Sequence, residues 1–173
     1  MSGFAQALIV DDLDHCRDWL ARALDLAFPG IEIRYAEDVA SGRAALQSPP
    51  PLVLCDLGLP DGSGMQLIEL LVRESPQTQV VVTTVFDDDA HLFPALRAGA
   101  HGYLLKDATV ESIAELLRGI VDGQTVRVAI GQRPSELLAK AFVLEDIRVR
   151  ELLVERPTLE DVFLERTGHG DIR

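Results

Sequence analysis

Ala7-Leu8-Ile9-Val10-Asp11-Asp12 is a compact apolar run that stops dead at two carboxylates. Residues 13–28 follow at once with a different rhythm. Trp19, Leu20, Ala23, Leu24 and Ala27 recur at helical spacing and form one stripe, and Pro29-Gly30 ends it. A short buried strand feeding an amphipathic helix is the unit this stretch predicts.

Working outward, the same unit repeats. Residues 31–35 read as a strand and 39–46 as a helix; Leu52-Val53-Leu54-Cys55 reads as a buried strand. A Gly/Pro-rich loop over 58–64 leads into a helix over 65–73. Val80-Val81-Val82 and Tyr103-Leu104-Leu105 read as strands, with helices over 90–98 and 110–121. Five strands therefore alternate with five helices. Strands this apolar are buried on both faces, and each crossover is long enough for a helix, so the fold class is α/β with a doubly wound parallel sheet.

Composition narrows the function. With 173 residues, 47% apolar, the chain suits one ordinary domain plus a small appendage. No apolar run approaches the ~18–20 residues of a membrane span, and the N-terminus lacks a basic region leading into an apolar one. Cys16 and Cys55 are too few for a disulfide framework, so a reducing, cytoplasmic setting is expected. The formal charge is −12 and no Lys/Arg run occurs, which argues against direct nucleic-acid binding. Residues 1–123 hold 19 acidic and 8 basic residues, a net of −11; residues 124–173 hold 9 and 8, a net of −1. That break, at Gly123, sets the expected domains as 1–123 and 124–173.

In open parallel sheets, ligands bind at the carboxyl ends of the strands, where strand order reverses. Asp11 and Asp12 end the first strand, Asp56 the third, Thr84 the fourth and Lys106 the fifth. Two like charges ~4 Å apart repel by roughly 4 kcal/mol at an effective dielectric of 20. A hard divalent cation relieves such crowding, and Mg²⁺ favours carboxylates, waters and phosphate oxygens.

Leu8-Ile9-Val10-Asp11-Asp12, Asp56-Leu57-Gly58-Leu59-Pro60-Asp61-Gly62, Thr83-Thr84 and Gly102-Tyr103-Leu104-Leu105-Lys106-Asp107 together resemble the receiver domain of two-component response regulators. The match runs in register over about residues 5–121 and looks most like the subgroup that usually carries a C-terminal helix-turn-helix. The resemblance implies a flavodoxin-like five-stranded sheet. It also implies that Asp56 is the phosphoacceptor for a sensor histidine kinase. Asp11, Asp12, Asp56 and the backbone carbonyl of Gly58 would hold Mg²⁺. Lys106 and Thr84 would bind phosphoryl oxygens, and Tyr103 would rotate into space that Thr84 vacates. The chain would then be no enzyme beyond its own phosphorylation and slow dephosphorylation, with a homodimer as one output.

Several features depart from the family pattern. Val85 follows Thr84 where a smaller residue is common, which would narrow access to Asp56; neither Gly58 nor Phe86 supplies a group to orient water. Pro94 predicts a fourth helix that starts late or kinks. Asp87-Asp88-Asp89 reads as an acidic helix start, and Cys55 as buried and inert. His15, His91, His101 and His169 share no zinc-like spacing.

Where the subgroup would continue into a DNA-reading domain, residues 124–173 read instead as a small β-α-β-α extension. A strand is expected over 125–130, a helix over 134–143, a strand over 147–154 and a closing helix over 157–164 capped by Thr158. This fragment would pack on the receiver or pair with a second copy. Residues 155–164, with Thr167-Gly168, resemble the extreme C-terminus of ATP-binding subunits of drug-export ABC transporters, although the chain has no phosphate-binding Gly-Lys-Ser/Thr loop. Two rival functions are a Mg²⁺-dependent aspartyl-phosphate phosphohydrolase, which would want an acid where Gly58 stands, and a transcriptional regulator using a partner's DNA-binding domain.

Overall fold

The computed structural model describes residues 3–121 and the strand Arg127–Ala129. β1 (Gln6–Val10), β2 (Glu32–Ala36) and β3 (Leu52–Cys55) are followed by a small antiparallel hairpin, β4 (Gly58–Leu59) and β5 (Gly62–Ser63). Next come β6 (Gln79–Thr84), β7 (Gly102–Leu105) and β8 (Arg127–Ala129). The helices are α1 (Asp14–Ala27), α2 (Val39–Ala45), α3 (Met65–Glu74), α4 (Asp89–Arg97) and α5 (Val110–Ile120). The large sheet is parallel throughout, in the order β2-β1-β3-β6-β7-β8. Strand order reverses between β1 and β3, and the acidic residues leave the sheet at that point.

Alternation along each strand divides the core in two. Ile9, Leu54, Val81 and Leu104 pack under α1 and α5, against Leu20, Leu24, Ile113 and Leu117. Leu8, Val53, Val82 and Tyr103 face α2, α3 and α4, against Val39, Leu67, Ile68 and Leu92. Each fully buried aliphatic side chain contributes about 1.5–3 kcal/mol, and both faces are filled this way, which is why the strands read as unbroken apolar runs.

The five strands and five helices expected within 1–123 are present. One element was absent from the sequence reading. The loop after Asp56 closes into the β4–β5 hairpin around Pro60-Asp61. The strand expected over 125–130 is present as Arg127–Ala129, which pairs parallel with β7 as a sixth strand of the main sheet. The other segments expected beyond residue 130, and the transporter-like stretch 155–168, lie outside the described residues.

α4 begins at Asp89 and runs on through Pro94, where a late start or kink was expected. Pro94 deletes only the bond to the Ala90 carbonyl. Ala90 and Pro94 are both exposed, so water can satisfy that carbonyl. The start follows from Asp88, whose carboxylate accepts the His91 N–H at 3.0 Å as an N-cap.

His101 ties the β6 entry to the α4–β7 turn. Its Nδ1 accepts the Val80 N–H at 3.0 Å, and its own N–H donates to the Val80 carbonyl at 2.7 Å. Burial lowers its pKa. The neutral ring is therefore favoured by the fold, and this contribution is complete above the unfolded value of about 6.5. It declines as pH falls through that value toward the lower folded one. Urea midpoints should fall between pH 7 and pH 5, and the fall should be shallower in His101→Asn.

Candidate phosphoacceptor and cation site

The ends of β1, β3 and β7 converge because the sheet ladder continues one residue past each strand. Val10 pairs with Cys55 in register; the Asp11 N–H then donates to Ala36 O at 3.0 Å and the Asp56 N–H to Val10 O at 2.9 Å. The Lys106 N–H donates to Thr84 O at 2.9 Å, which fixes the fifth position of the constellation to the fourth. Backbone pairing alone thus brings the sequence-distant residues to one edge.

Lys106 is the hub. Its Nζ lies 2.7 Å from Asp11 Oδ2 and 2.7 Å from Asp56 Oδ2, and its side chain is only 9% exposed. Burial alone would depress the Lys106 pKa, but the adjacent carboxylates outweigh it and hold the value above the usual lysine range. Burial raises the Asp56 pKa, against the pull of Lys106 and of the Gly58 N–H, which donates to Asp56 Oδ1 at 3.1 Å. Asp11 Oδ1 accepts the Leu13 N–H at 3.0 Å.

Asp12 stands exposed at the rim. One carboxylate oxygen each from Asp11, Asp12 and Asp56 lies within 4.8 Å of the others. A hard divalent cation fits this donor set. Asp11 Oδ2 is buried, and its one ion pair among the described residues is with Lys106 Nζ. One ammonium against three carboxylates leaves net negative charge for a cation to neutralise.

Thr84 is fully buried at the end of β6, and its Oγ1 accepts the Phe86 N–H at 3.2 Å. Tyr103 is also fully buried, on the sheet face toward α4, and its hydroxyl donates to the Phe86 carbonyl at 2.6 Å. Phe86 is therefore held at both its backbone N–H and its carbonyl, and its ring stacks on His91 of α4, centroids 4.1 Å apart and 7° from parallel. Val85 is largely exposed. Cys55 is buried and its thiol pKa is pushed up, chiefly by burial, as an inert residue requires. A cleft of 310 Å³ beside the site is lined by Leu57, Gly58, Met65, Phe86, His91 and Pro94, among others.

Three contributors escaped the sequence reading. Arg17 donates from Nη1 to the Asp11 carbonyl at 2.7 Å; its position on the first turns of α1 was the one available signal. Gly64 leaves room for the Asp56 carbonyl. Asp61 accepts the Val39 and Ala40 N–H groups at 2.7 and 3.0 Å, pinning the hairpin to the start of α2 beside the Asp38–Ser41 capping box. Asp61→Ala should lower folding stability by about 1 kcal/mol, the usual loss for an exposed helix-start acceptor, measured by urea unfolding.

Residues 7–118 match the family model described as the response regulator receiver domain. Among curated proteins, the transcriptional regulatory protein YhcZ of Bacillus subtilis (strain 168) is 36% identical over 88 residues, 49% of this chain and 41% of that protein. The oxygen regulatory protein NreC of Staphylococcus carnosus (strain TM300) is 34% identical over 91 residues, 52% of this chain and 42% of that protein. The aligned part thus spans less than half the length of either relative. Among solved structures, a CheY-like receiver domain protein from Methanospirillum hungatei JF-1 superposes with a TM-score of 0.63 at 27% identity, covering 70% of this chain and 97% of that one. The signal receiver domain of NarL from Mycobacterium tuberculosis gives 0.61 at 25%, covering 71% and 100%.

Proposed function

This chain belongs to the response regulator receiver domain family, and on that premise we propose that it is a signalling module phosphorylated on Asp56 by a sensor histidine kinase. The observation that carries the reading is the buried Lys106 ammonium bridging Asp11 and Asp56 at 2.7 Å each. Family membership supports a kinase partner, and no helix among the described residues is long and apolar enough to cross a membrane.

In the proposed reaction an Asp56 carboxylate oxygen attacks the phosphorus of a phosphohistidine. The O–P bond forms as the P–N bond breaks, and the imidazole leaves with its proton restored from solvent. A carboxylate nucleophile needs no general base at neutral pH. Lys106 would exchange its contact with Asp56 Oδ2 for a phosphoryl oxygen, and the Thr84 hydroxyl would donate to another. Asp11, Asp12, Asp56 and the Gly58 carbonyl would hold Mg²⁺, which when bound supplies neutralising charge for the transferring phosphoryl group. This is one event per chain rather than turnover of a bulk substrate.

The switch follows from the clamp on Phe86. Thr84 Oγ1 accepts the Phe86 N–H, so drawing Thr84 toward a phosphoryl oxygen would release one side of the residue whose carbonyl Tyr103 holds. That would disturb the Phe86–His91 stack and hence the surface of α4. Tyr103 is already buried, so its part in this reading is to anchor the Phe86 loop rather than to swing inward. A change of self-association is the proposed output.

Incubation with Mg²⁺ and a small acyl-phosphate donor should add one phosphoryl group per chain by intact mass. Asp56→Asn should remove the label; undiminished labelling would sink the assignment. Continuous release of phosphate from many phosphoesters would favour the phosphohydrolase instead.

A further inference from the structure

We propose that Arg17 is a positioning residue for the divalent-cation site: seated on the Asp11 main-chain carbonyl, its guanidinium orients the peptide from which the Asp12 carboxylate is presented. The proposal rests on the reading of Asp11, Asp12 and Asp56 as that site.

Asp11 and Asp12 are anchored very differently. The Asp11 carboxylate is buried and held at both oxygens, by the Leu13 N–H and by Lys106 Nζ. Asp12 is exposed, and no described residue hydrogen-bonds or pairs with its carboxylate. The direction in which Asp12 points therefore depends on the plane of the Asp11–Asp12 peptide. The carbonyl of that peptide is the group Arg17 Nη1 binds at 2.7 Å.

Arg17 is itself well fixed. Its side chain is 12% exposed, and Nη2 pairs with Asp14 and lies 3.6 Å from Glu37 Oε1. The guanidinium thus spans the β1–α1 and β2–α2 loops. Its rigid fork can serve the carbonyl and the two carboxylates together, which the point charge of a lysine cannot. Leu13 occupies the N-cap of α1 and provides no side-chain cap, so the turn is held by the Leu13 N–H on Asp11 Oδ1 and, on the carbonyl side, by Arg17. Arg17 reaching back to Asp11 closes that turn.

Electrostatics and positioning predict opposite signs, which makes the idea testable. Removing a cation beside an anionic site should, by Coulomb's law alone, tighten binding of Mg²⁺. Losing the support of a metal ligand should weaken it, by about tenfold on the usual scale for residues that orient ligands. Mg²⁺ affinity of the full chain would be measured calorimetrically, and in parallel by the fluorescence of Trp19, the sole tryptophan.

We expect Arg17→Gln to raise the Mg²⁺ dissociation constant about tenfold. Arg17→Lys, which keeps the charge and is the conservative choice should the glutamine variant not fold, should fall in between. Arg73→Gln, the same charge change beside exposed Glu74, should leave it unaltered. Unchanged or tighter binding in Arg17→Gln, or full affinity in Arg17→Lys, overturns the proposal with the site reading intact. Failure of the unmodified chain to bind Mg²⁺ overturns the site reading and the proposal with it.

Discussion

Lys106→Met is expected to lower folding stability by about 3 kcal/mol in the absence of divalent cations, within the range for removing one partner of a buried ion pair. The cause is the pair of carboxylates left behind. Asp11 is fully buried and Asp56 nearly so, and each loses a contact of 2.7 Å to the only ammonium near them among the described residues. Burial already raises the Asp56 pKa against the pull of that lysine, so without it the carboxyl should rise further. Millimolar Mg²⁺ should restore much of the loss, because a cation among Asp11, Asp12 and Asp56 does the same neutralising work. Urea unfolding with and without Mg²⁺ measures both effects. A deficit under about 1 kcal/mol, or one that Mg²⁺ leaves untouched, would mean the three acids do not share one electrostatic site.

Gly64→Ala should be worse than its size suggests. A Cβ at this position would stand 1.9 Å from the Asp56 carbonyl oxygen, 2.9 Å from the carbonyl carbon and 3.1 Å from Cys55 Sγ. The nearest obstacle is backbone, which has no rotamer to escape into. Either the hairpin retreats or the end of β3 shifts, and that end carries Asp56, the proposed phosphoacceptor. Overpacking of this kind costs about 3 kcal/mol, at the upper end of the usual range. Loss of phosphorylation by a folded but destabilised protein, followed by intact mass and circular dichroism, is the expected result. The cause is space, since Gly64 has an ordinary φ of −59°. Gly30 is the opposite case: its φ is +82° with nothing within 4 Å of a Cβ. Gly30→Ala should thus cost only backbone strain, on the order of 1 kcal/mol, and leave phosphorylation intact.

In the proposed switch, the cleft beside Gly58 and Phe86 would carry the link from site to surface. It lies between the loop after Asp56 and the α4 face where His91 stacks on Phe86. Movement at Thr84 in that switch would reach α4 through the single ring of Phe86 stacked on His91. The start of α4 in turn depends on Asp88, whose pKa is lowered by its contact with His91, so the acidic helix start caps the helix and is separate from the candidate cation cluster of Asp11, Asp12 and Asp56.

The alternation of four-residue apolar runs with amphipathic stretches determined the parallel α/β sheet without help, because only a sheet covered on both faces tolerates strands such as Leu52-Val53-Leu54-Cys55. The same alternation places Asp11, Asp56, Thr84 and Lys106 at one edge, since parallel strands all end there. What it could not determine were contacts whose partners lie far apart and obey no periodicity. Lys106 bridging two carboxylates, Arg17 on the Asp11 carbonyl, Asp61 on the start of α2 and the Tyr103 hydroxyl on Phe86 each join side chains or backbone across different loops. Local sequence sets the period of burial, but a hydrogen bond between loops exists only once the sheet has fixed their separation. The sixth strand belongs to this second class, because the apolar pattern marks a strand and says nothing of which edge it joins.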